Sequence, residues 1–156
     1  MKFQKNLNRV LEVFLVILMS VLVLDVLWQV FSRYLLSSPS SFTDELAGFL
    51  LIWVGVLGAA YVAGRQEHLA IDILIQRSSP DRQRKLRFTT HILILLFALG
   101  VMVVGGANLV YSRFVLDVKS AALQLPLGFV YSVLPISGAV IVYYEIVFMI
   151  DLKKSK

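Results

Sequence analysis

The 156-residue chain is 58% hydrophobic and 16% charged, and its mean hydropathy of +0.81 is too high for a water-soluble domain of this size. Its net charge of +5 comes from basic residues spread over short polar segments without interleaved aromatic residues, a pattern that does not indicate a nucleic-acid-binding protein. The absence of cysteine excludes disulfides, thiol catalysis and thiolate metal sites.

Four stretches with few or no charged residues follow one another along the chain, and each approaches the roughly 20 residues that a helix needs to cross a bilayer. Lipid offers the backbone no hydrogen-bond partners, so each stretch is predicted to be a helix. We therefore predict an all-α integral membrane protein with one four-span domain over residues 1–156. The spans are predicted at about 10–31, 43–63, 89–111 and 126–149, with a short interfacial helix at about 66–78.

The basic residues predict how the spans are oriented. Twelve of the fifteen lie before span one, between spans two and three, or after span four. Because cytoplasmic loops are enriched in Lys and Arg, both termini are predicted to be cytoplasmic. The first apolar run is too long for a secretory signal and is not closed by a small-residue cleavage site, so it is predicted to remain as span one.

Three polar residues interrupt the second half of span one at intervals of four: Asp25, Gln29 and Arg33. This spacing places them on one helix face, where Gln29 can contact either neighbour. An ionised carboxylate in mid-span costs about 2.5–3.5 kcal/mol on insertion scales, so Asp25 is expected to have a partner. It is interpreted as a contact within the bundle, as a contact with another membrane subunit, or as part of an ion or proton relay. A relay normally needs a second deep ionisable group, and none is predicted, since Glu12 and Glu145 are expected to reach water or a neighbouring Lys or Arg.

Two acids, Asp44 and Glu45, lie in the first turn of predicted span two, at the positive end of the helix dipole. Ser41 has the spacing of a capping-box partner for Asp44. The two acids are therefore predicted to start the helix. Alternatively, they meet a cationic patch on a partner protein.

Small residues recur every four positions in span two, at Gly55, Ala59 and Ala63. A face of this kind permits another helix to approach closely. It is interpreted either as packing within the bundle or as an interface with another subunit.

Glycine and proline mark the last two spans. In span three, Gly100, Gly105 and Gly106 predict close helix contacts, and Asn108 predicts an interhelical hydrogen bond. Pro135 lacks a backbone donor and is predicted to kink span four. Spans one and two contain no proline, so the inverted repeat found in many transporters is not indicated.

The connection after span two has polar residues on one predicted helix face and aliphatic residues around the rest, which is typical of a helix at the membrane interface. His68 and Asp72 are four residues apart and can pair, and Arg65 precedes them. These residues are interpreted as anchors of the segment or as contacts with a partner subunit. No metal or haem site is predicted, because the other histidine, His91, begins span three.

Several short segments along the chain are recognisable when they are taken together. They are Phe31-Ser32-Arg33-Tyr34, Thr43-Asp44-Glu45-Leu46-Ala47, Trp53 with Gly58-Ala59-Ala60, and Arg65-Gln66-Glu67-His68 followed by Ile71-Asp72. With these segments the chain resembles, over nearly its whole length, the small membrane subunit (DctQ type) of tripartite ATP-independent periplasmic (TRAP) transporters. That family usually has two adjacent acids at the start of span two, often two glutamates, and Asp44-Glu45 keeps this charge.

The resemblance implies an accessory role without catalysis and without a cofactor. In such transporters a periplasmic solute-binding protein delivers an organic acid, such as a C4-dicarboxylate or a sialic acid. A large DctM-type membrane subunit carries the substrate and sodium sites. The small subunit packs on the static part of the large subunit in the bacterial inner membrane and contributes to the surface where the binding protein docks. The implied partners are the large subunit, the binding protein and membrane lipids, with no nucleic acid.

Under this resemblance, polar residues near the periplasm are expected to contact the partners, and those near the cytoplasm are expected to hold the interfacial helix against lipid and the large subunit. The candidate partner contacts are Asp25, Gln29, Arg33, Asp44, Glu45, Gly55, Ala59, Arg65, His68 and Asp72. A different class stays open, namely a stand-alone transporter that acts as a homo-oligomer and couples to protons through Asp25. A membrane-embedded enzyme is not indicated, because no nucleophile and base occur at matched depth.

Overall fold

The computed structural model of the chain describes residues 2–36, 41–65 and 80–154. Within these residues the structure is helical and contains no β-strand, which confirms the predicted all-α class. Four helical stretches are long and apolar enough to cross a membrane: Gln4–Tyr34, Ser41–Arg65, Arg82–Val115 and Leu127–Leu152. The predicted interfacial helix at about 66–78 lies outside the described residues.

The helices are numbered in chain order. They are α1 (Lys2–Tyr34), α2 (Ser41–Arg65), α3 (Pro80–Phe97), a π-helical segment (Ala98–Gly105), α4 (Gly106–Val115), α5 (Leu127–Tyr131) and α6 (Val133–Lys154). Span three therefore consists of α3, the π-helical segment and α4, and span four consists of α5 and α6. Each span extends past the hydropathy prediction at one end or both, because a helix continues beyond the hydrocarbon into regions where its polar residues are solvated.

α6 lies at the centre of the bundle. It packs against α2 on one side and against α3 and the π-helical segment on the other, whereas α1 packs mainly against α2. In the most apolar 18-residue stretch of span four, 39% of the residues are buried inside the chain, compared with 11–17% in the corresponding stretches of the other three spans. The apolar core accordingly forms where α6 meets its neighbours, with members such as Leu57, Val133 and Phe148.

The two spans that carry glycine and proline are irregular. Span four is divided at Ser132, between α5 and α6, three residues before Pro135. The proline ring clashes with the carbonyl four residues earlier, on Tyr131, and this is where α5 ends. Trp53 of α2 contacts the same region, since its indole Nε1 donates to the carbonyl oxygen of Val130 at 3.0 Å. That carbonyl belongs to the last turn of α5, where intrahelical donors run out.

Close contacts between spans three and four depend on two glycines. A Cβ on Gly106 would lie 3.0 Å from atoms of Leu134 and Pro135, and a Cβ on Gly138 would lie 2.7 Å from the Cβ of Met102. The predicted close contact at Gly106 is therefore confirmed. At Gly100 a Cβ would meet nothing within 4 Å, so the prediction is wrong for that residue.

Asn108 does not make the predicted interhelical hydrogen bond within the described part of the chain. Its backbone carbonyl accepts from the Ser112 hydroxyl at 2.8 Å, one turn further along α4. The Asn108 side chain is exposed, on the face of α4 that turns away from span four. The prediction was wrong because a polar residue in a span also finds partners within its own helix.

We expect Gly138→Ala to destabilise the purified chain in detergent, whereas Gly55→Ala does not. Both substitutions gain up to about 1 kcal/mol of helix propensity, but only the new methyl group at position 138 meets neighbouring atoms, at 2.7 Å. Overpacking typically costs about 1–3 kcal/mol. Thermal unfolding followed by circular dichroism measures both variants. A Gly138→Ala protein as stable as Gly55→Ala would contradict the close contact.

Candidate partner-contact site

The bundle has two ends with different polar contacts. At the Glu45 end, α1 ends, α2 begins, and residues 116–126 connect α4 to α5. At the His91 end, α1 begins, α2 and α6 end, and α3 enters the bundle. Most of the predicted partner contacts lie at or near the Glu45 end.

Gln29 joins α1 to α2 at the Glu45 end. Its Nε2 donates to Oδ1 of Asp44 at 2.7 Å. Within the described residues, no hydrogen bond joins Gln29 to Asp25 or to Arg33, so the predicted contacts along α1 are wrong. The three positions drift around α1, so that Asp25 is buried and Arg33 is exposed, while Gln29 lies towards α2 and its amide donates to the carboxylate of that helix. Asp44 remains exposed.

Glu45 binds the connection 116–126 with both carboxylate oxygens. Oε1 accepts from the backbone N–H of Ala121 at 2.9 Å, and Oε2 accepts from those of Ala122 and Leu123 at 2.9 and 2.7 Å. Hydrogen bonds to an ionised acceptor are shorter and roughly twice as strong as those between neutral groups. The carboxylate is thus engaged within the chain, and Asp44 is the acid of the pair that faces outward.

The connection has a defined backbone of its own. Lys119 and Pro126 form an antiparallel bridge, and the N–H of Ser120 donates to the carbonyl of Leu125 at 2.9 Å. Gln124 has a φ of 54°, in the left-handed region that non-glycine residues seldom adopt. Such a conformation persists when the surrounding contacts fix it, and Glu45 supplies three of these contacts on the three preceding residues.

Asp25 is buried, with 9% of its surface exposed, and its Oδ2 has no hydrogen-bond partner in the described part of the chain. Arg33 is exposed. The two residues therefore differ as candidates, because Arg33 is open to a partner protein and Asp25 is largely covered by the chain itself. An ionised carboxylate that accepts no hydrogen bond in an apolar environment costs several kcal/mol of free energy. Asp25 is therefore unusual among the polar residues of span one, because its Oδ2 is buried without such a partner in the described part of the chain.

The predicted small-residue face of α2 divides into two. Ala63 is buried in the bundle beside Ala60, whereas Gly55 and Ala59 are exposed and turn away from it. The reason is geometric: each step of four residues advances about 400° around an α-helix, so a face drawn through three such positions drifts by about 80°. Only its last member takes part in packing within the chain.

Arg65 ends α2 at the His91 end, and its guanidinium lies over the Tyr61 ring with 5.1 Å to the ring centroid. His68 and Asp72, which were predicted to pair, lie outside the described residues. Of the candidates on this side, the structure therefore describes Arg65 alone.

Sequence reasoning missed a buried hydrogen-bonded pair of ionisable side chains. His91 Nδ1 lies 2.6 Å from Oε2 of Glu145, and Glu145 has no exposed surface. The expectation that Glu145 reaches water or a neighbouring Lys or Arg is wrong, because α6 continues to Lys154 and places Glu145 about 13 Å inside its end. The signal was available, since antiparallel neighbours carried a histidine near the start of one span and an acid near the end of the next.

All four spans meet at the His91 end. The hydroxyl of Tyr144 donates to Oδ1 of Asn8 on α1, next to the pair of His91 and Glu145. Gly64 of α2 permits this approach, because a Cβ there would lie 2.7 Å from the Tyr144 ring. Among the described residues no group of three His, Cys, Asp or Glu side chains is arranged to hold a metal ion.

The sequence matches known proteins along most of its length. The family model described as "Tripartite ATP-independent periplasmic transporters, DctQ component" matches residues 22–154. The chain is 27% identical over 137 residues to the sialic acid TRAP transporter small permease protein SiaQ of Vibrio cholerae, a match that covers 83% of this chain and 79% of that protein.

Two other relatives match over shorter regions. The C4-dicarboxylate TRAP transporter small permease protein DctQ of Rhodobacter capsulatus is 28% identical over 105 residues, which is 64% of this chain and 44% of that protein. The sialic acid TRAP transporter permease protein SiaT of Haemophilus influenzae is 39% identical over 70 residues, which is 44% of this chain and 11% of that protein.

We expect His91→Leu to cost about 3–5 kcal/mol of unfolding free energy, because it leaves the Glu145 carboxylate buried without its partner. Replacing both residues with leucine should recover most of this loss, since replacing both partners of a buried hydrogen-bonded or ionic pair by apolar residues is often neutral or stabilising. Denaturant titrations in mixed micelles compare the two variants. If the double variant is as unstable as His91→Leu, the contact of His91 with Glu145 does not account for the contribution of His91 to the free energy of unfolding.

Proposed function

Because the chain belongs to the DctQ family of TRAP transporter components, we propose that it is the accessory membrane subunit of a transporter that imports an organic acid. The match to residues 22–154, which reaches into all four spans, carries this proposal. It also confirms the resemblance given by the sequence. The chain is a multi-pass protein of the inner membrane, and its family is one of transporter subunits.

The proposed role is to enlarge the static platform of the transporter. In this proposal a large DctM-type subunit binds the substrate and couples its uptake to sodium, while the present chain packs beside it. The exposed Gly55 and Ala59 of α2 support such packing, because small residues let a neighbouring helix approach closely. The buried pair of His91 and Glu145 and the contacts of Gly64 hold the four spans together and make the bundle a stiff partner.

We assign the Glu45 end to the periplasm and the His91 end to the cytoplasm, with both termini cytoplasmic. The distribution of basic residues supports this orientation. It places exposed Asp44 and Arg33, together with the connection 116–126, where a periplasmic solute-binding protein docks. Glu45 then acts indirectly, by fixing the connection. Arg65, His68 and Asp72 are proposed to lie against lipid and the large subunit on the other side.

The proposed substrate class is a carboxylate, without a choice among acids. Two relatives of nearly equal identity, 27% and 28%, are named for sialic acid and for C4-dicarboxylate. An overall identity at this level therefore does not separate the two substrates, and the binding protein and the large subunit are proposed to select the acid.

The alternative is a stand-alone proton-coupled transporter. One observation favours it: besides Asp25, the bundle contains a second buried ionisable site at His91 and Glu145. The two sites lie towards opposite ends of the bundle, which does not favour direct proton transfer between them. The accessory role therefore has the stronger support.

Reconstitution tests the two functions directly. The large subunit is placed in liposomes, the binding protein is added to the external solution, and the sodium concentration is made higher outside than inside. Such liposomes should take up the labelled organic acid only when the present chain is included. Removing the sodium gradient is the control for coupling. Uptake by the present chain alone would favour the stand-alone transporter, and full uptake without it would contradict the accessory role.

The docking surface is tested with Asp44→Asn, which removes the charge and keeps an oxygen that accepts from Gln29. If Asp44 meets a cationic patch, the concentration of binding protein that gives half-maximal uptake should rise several-fold, because exposed charges chiefly affect association. Asp151→Asn, at an exposed position near the other end, is the matched control and should leave uptake unchanged. If both variants reach half-maximal uptake at the same concentration of binding protein, Asp44 is not part of the docking surface.

A further inference from the structure

Residues 106–131 form a compact hairpin, composed of α4, the connection 116–126 and α5. The rings of Phe114 and Phe129 meet edge to face with centroids 5.1 Å apart. Gly128 lies directly against Phe114, where a Cβ would be 2.5 Å from the ring. The guanidinium of Arg113 lies over the Tyr131 ring at 5.9 Å. The two arms of the hairpin are thus fixed to each other by ring contacts along the whole of α5.

Both arms leave this hairpin through an irregular helix at the same level of the bundle. The π-helical segment ends at Gly105, and span four is interrupted at Ser132. The two places adjoin each other, since Gly106 contacts Pro135. Hydrogen-bond ladders interrupted by a π-helix or by proline are where helices bend. A bend in both arms at one level permits the hairpin to tilt as a unit without repacking its interior.

Two side chains of α2 tie the hairpin to the rest of the bundle. Glu45 binds three successive backbone N–H groups at its tip, and the Trp53 indole donates to the Val130 carbonyl near its base. The Glu45 contacts have the longer lever arm, because they lie at the far end from the bend. They therefore determine the tilt more strongly than the contact of Trp53.

We propose that hairpin 106–131 is a hinged unit, which pivots at the level of Gly106 and Ser132, and that Glu45 is the latch that sets its tilt. Hinge motions of this kind concentrate backbone changes at a few residues between rigid parts. This inference concerns the chain by itself and goes beyond the accessory role. If the hairpin pivots, the periplasmic surface of the accessory subunit changes its orientation while the rest of the bundle stays fixed.

Distances between spin labels test the hinge in the full chain, reconstituted in lipid nanodiscs. The chain contains no cysteine, so introduced cysteines are unique labelling sites. Ala122→Cys labels the tip of the hairpin and keeps the N–H that binds Glu45, and Tyr34→Cys labels the exposed end of α1. We expect one narrow distance distribution for this pair, which shifts or broadens when Glu45→Gln is added. Asp44→Asn is the matched control and should leave the distribution unchanged.

Two further pairs separate a pivot from local unfolding. Tyr111→Cys with Ala122→Cys lies wholly inside the hairpin, and Tyr34→Cys with Phe42→Cys lies wholly outside it. Both pairs should stay narrow in Glu45→Gln. Broadening of the internal pair would show that the hairpin is not rigid, and broadening of the outer pair would show that the bundle has unfolded. The proposal is overturned by either result, or by a tip distance that is the same with and without Glu45.

Discussion

A backbone amide or carbonyl that has no partner is expensive inside a lipid bilayer, and this constraint accounts for most of the architecture. Four helices satisfy their own backbones, and the places where they fail to do so receive side chains from a neighbour. Trp53 donates to a carbonyl at the interruption of span four, and Glu45 accepts from three N–H groups of the following connection. Trp53 and Glu45 of α2 thus supply partners for four backbone groups in the second half of the chain.

The two ends of the bundle use polar residues in different ways. At the His91 end, the pair of His91 and Glu145 is buried, and Tyr144 bonds Asn8 in the space that Gly64 leaves open. At the Glu45 end, the polar contacts join α2 to a connection with an exposed surface. A buried, hydrogen-bonded end and an end with an exposed polar surface fit the proposed accessory role, in which one membrane partner holds the subunit in place and a soluble partner meets it.

The class of fold was predictable because hydrocarbon thickness sets the length of a span, and the counts of apolar residues express it directly. The acids at the start of α2 were also recognised, but the role of Glu45 was not, since its partners are backbone groups about 76–78 residues away. Glu145 was placed near the interface because hydropathy does not show how far a helix continues into water. Gly55 and Ala59 were grouped with Ala63 by spacing alone, which ignores the drift of a four-residue step around the helix.

The central position of α6 has a consequence for biogenesis. Spans two and three leave the ribosome before α6, the helix against which both of them pack, has been made. Until it inserts, Gly64 and Gly106 lack the ring and side chains that pack against them, and His91 lacks its partner Glu145. Spans one and two can already pack against each other, whereas span three must remain separate from them, or be shielded by an insertase, until span four arrives and closes the bundle.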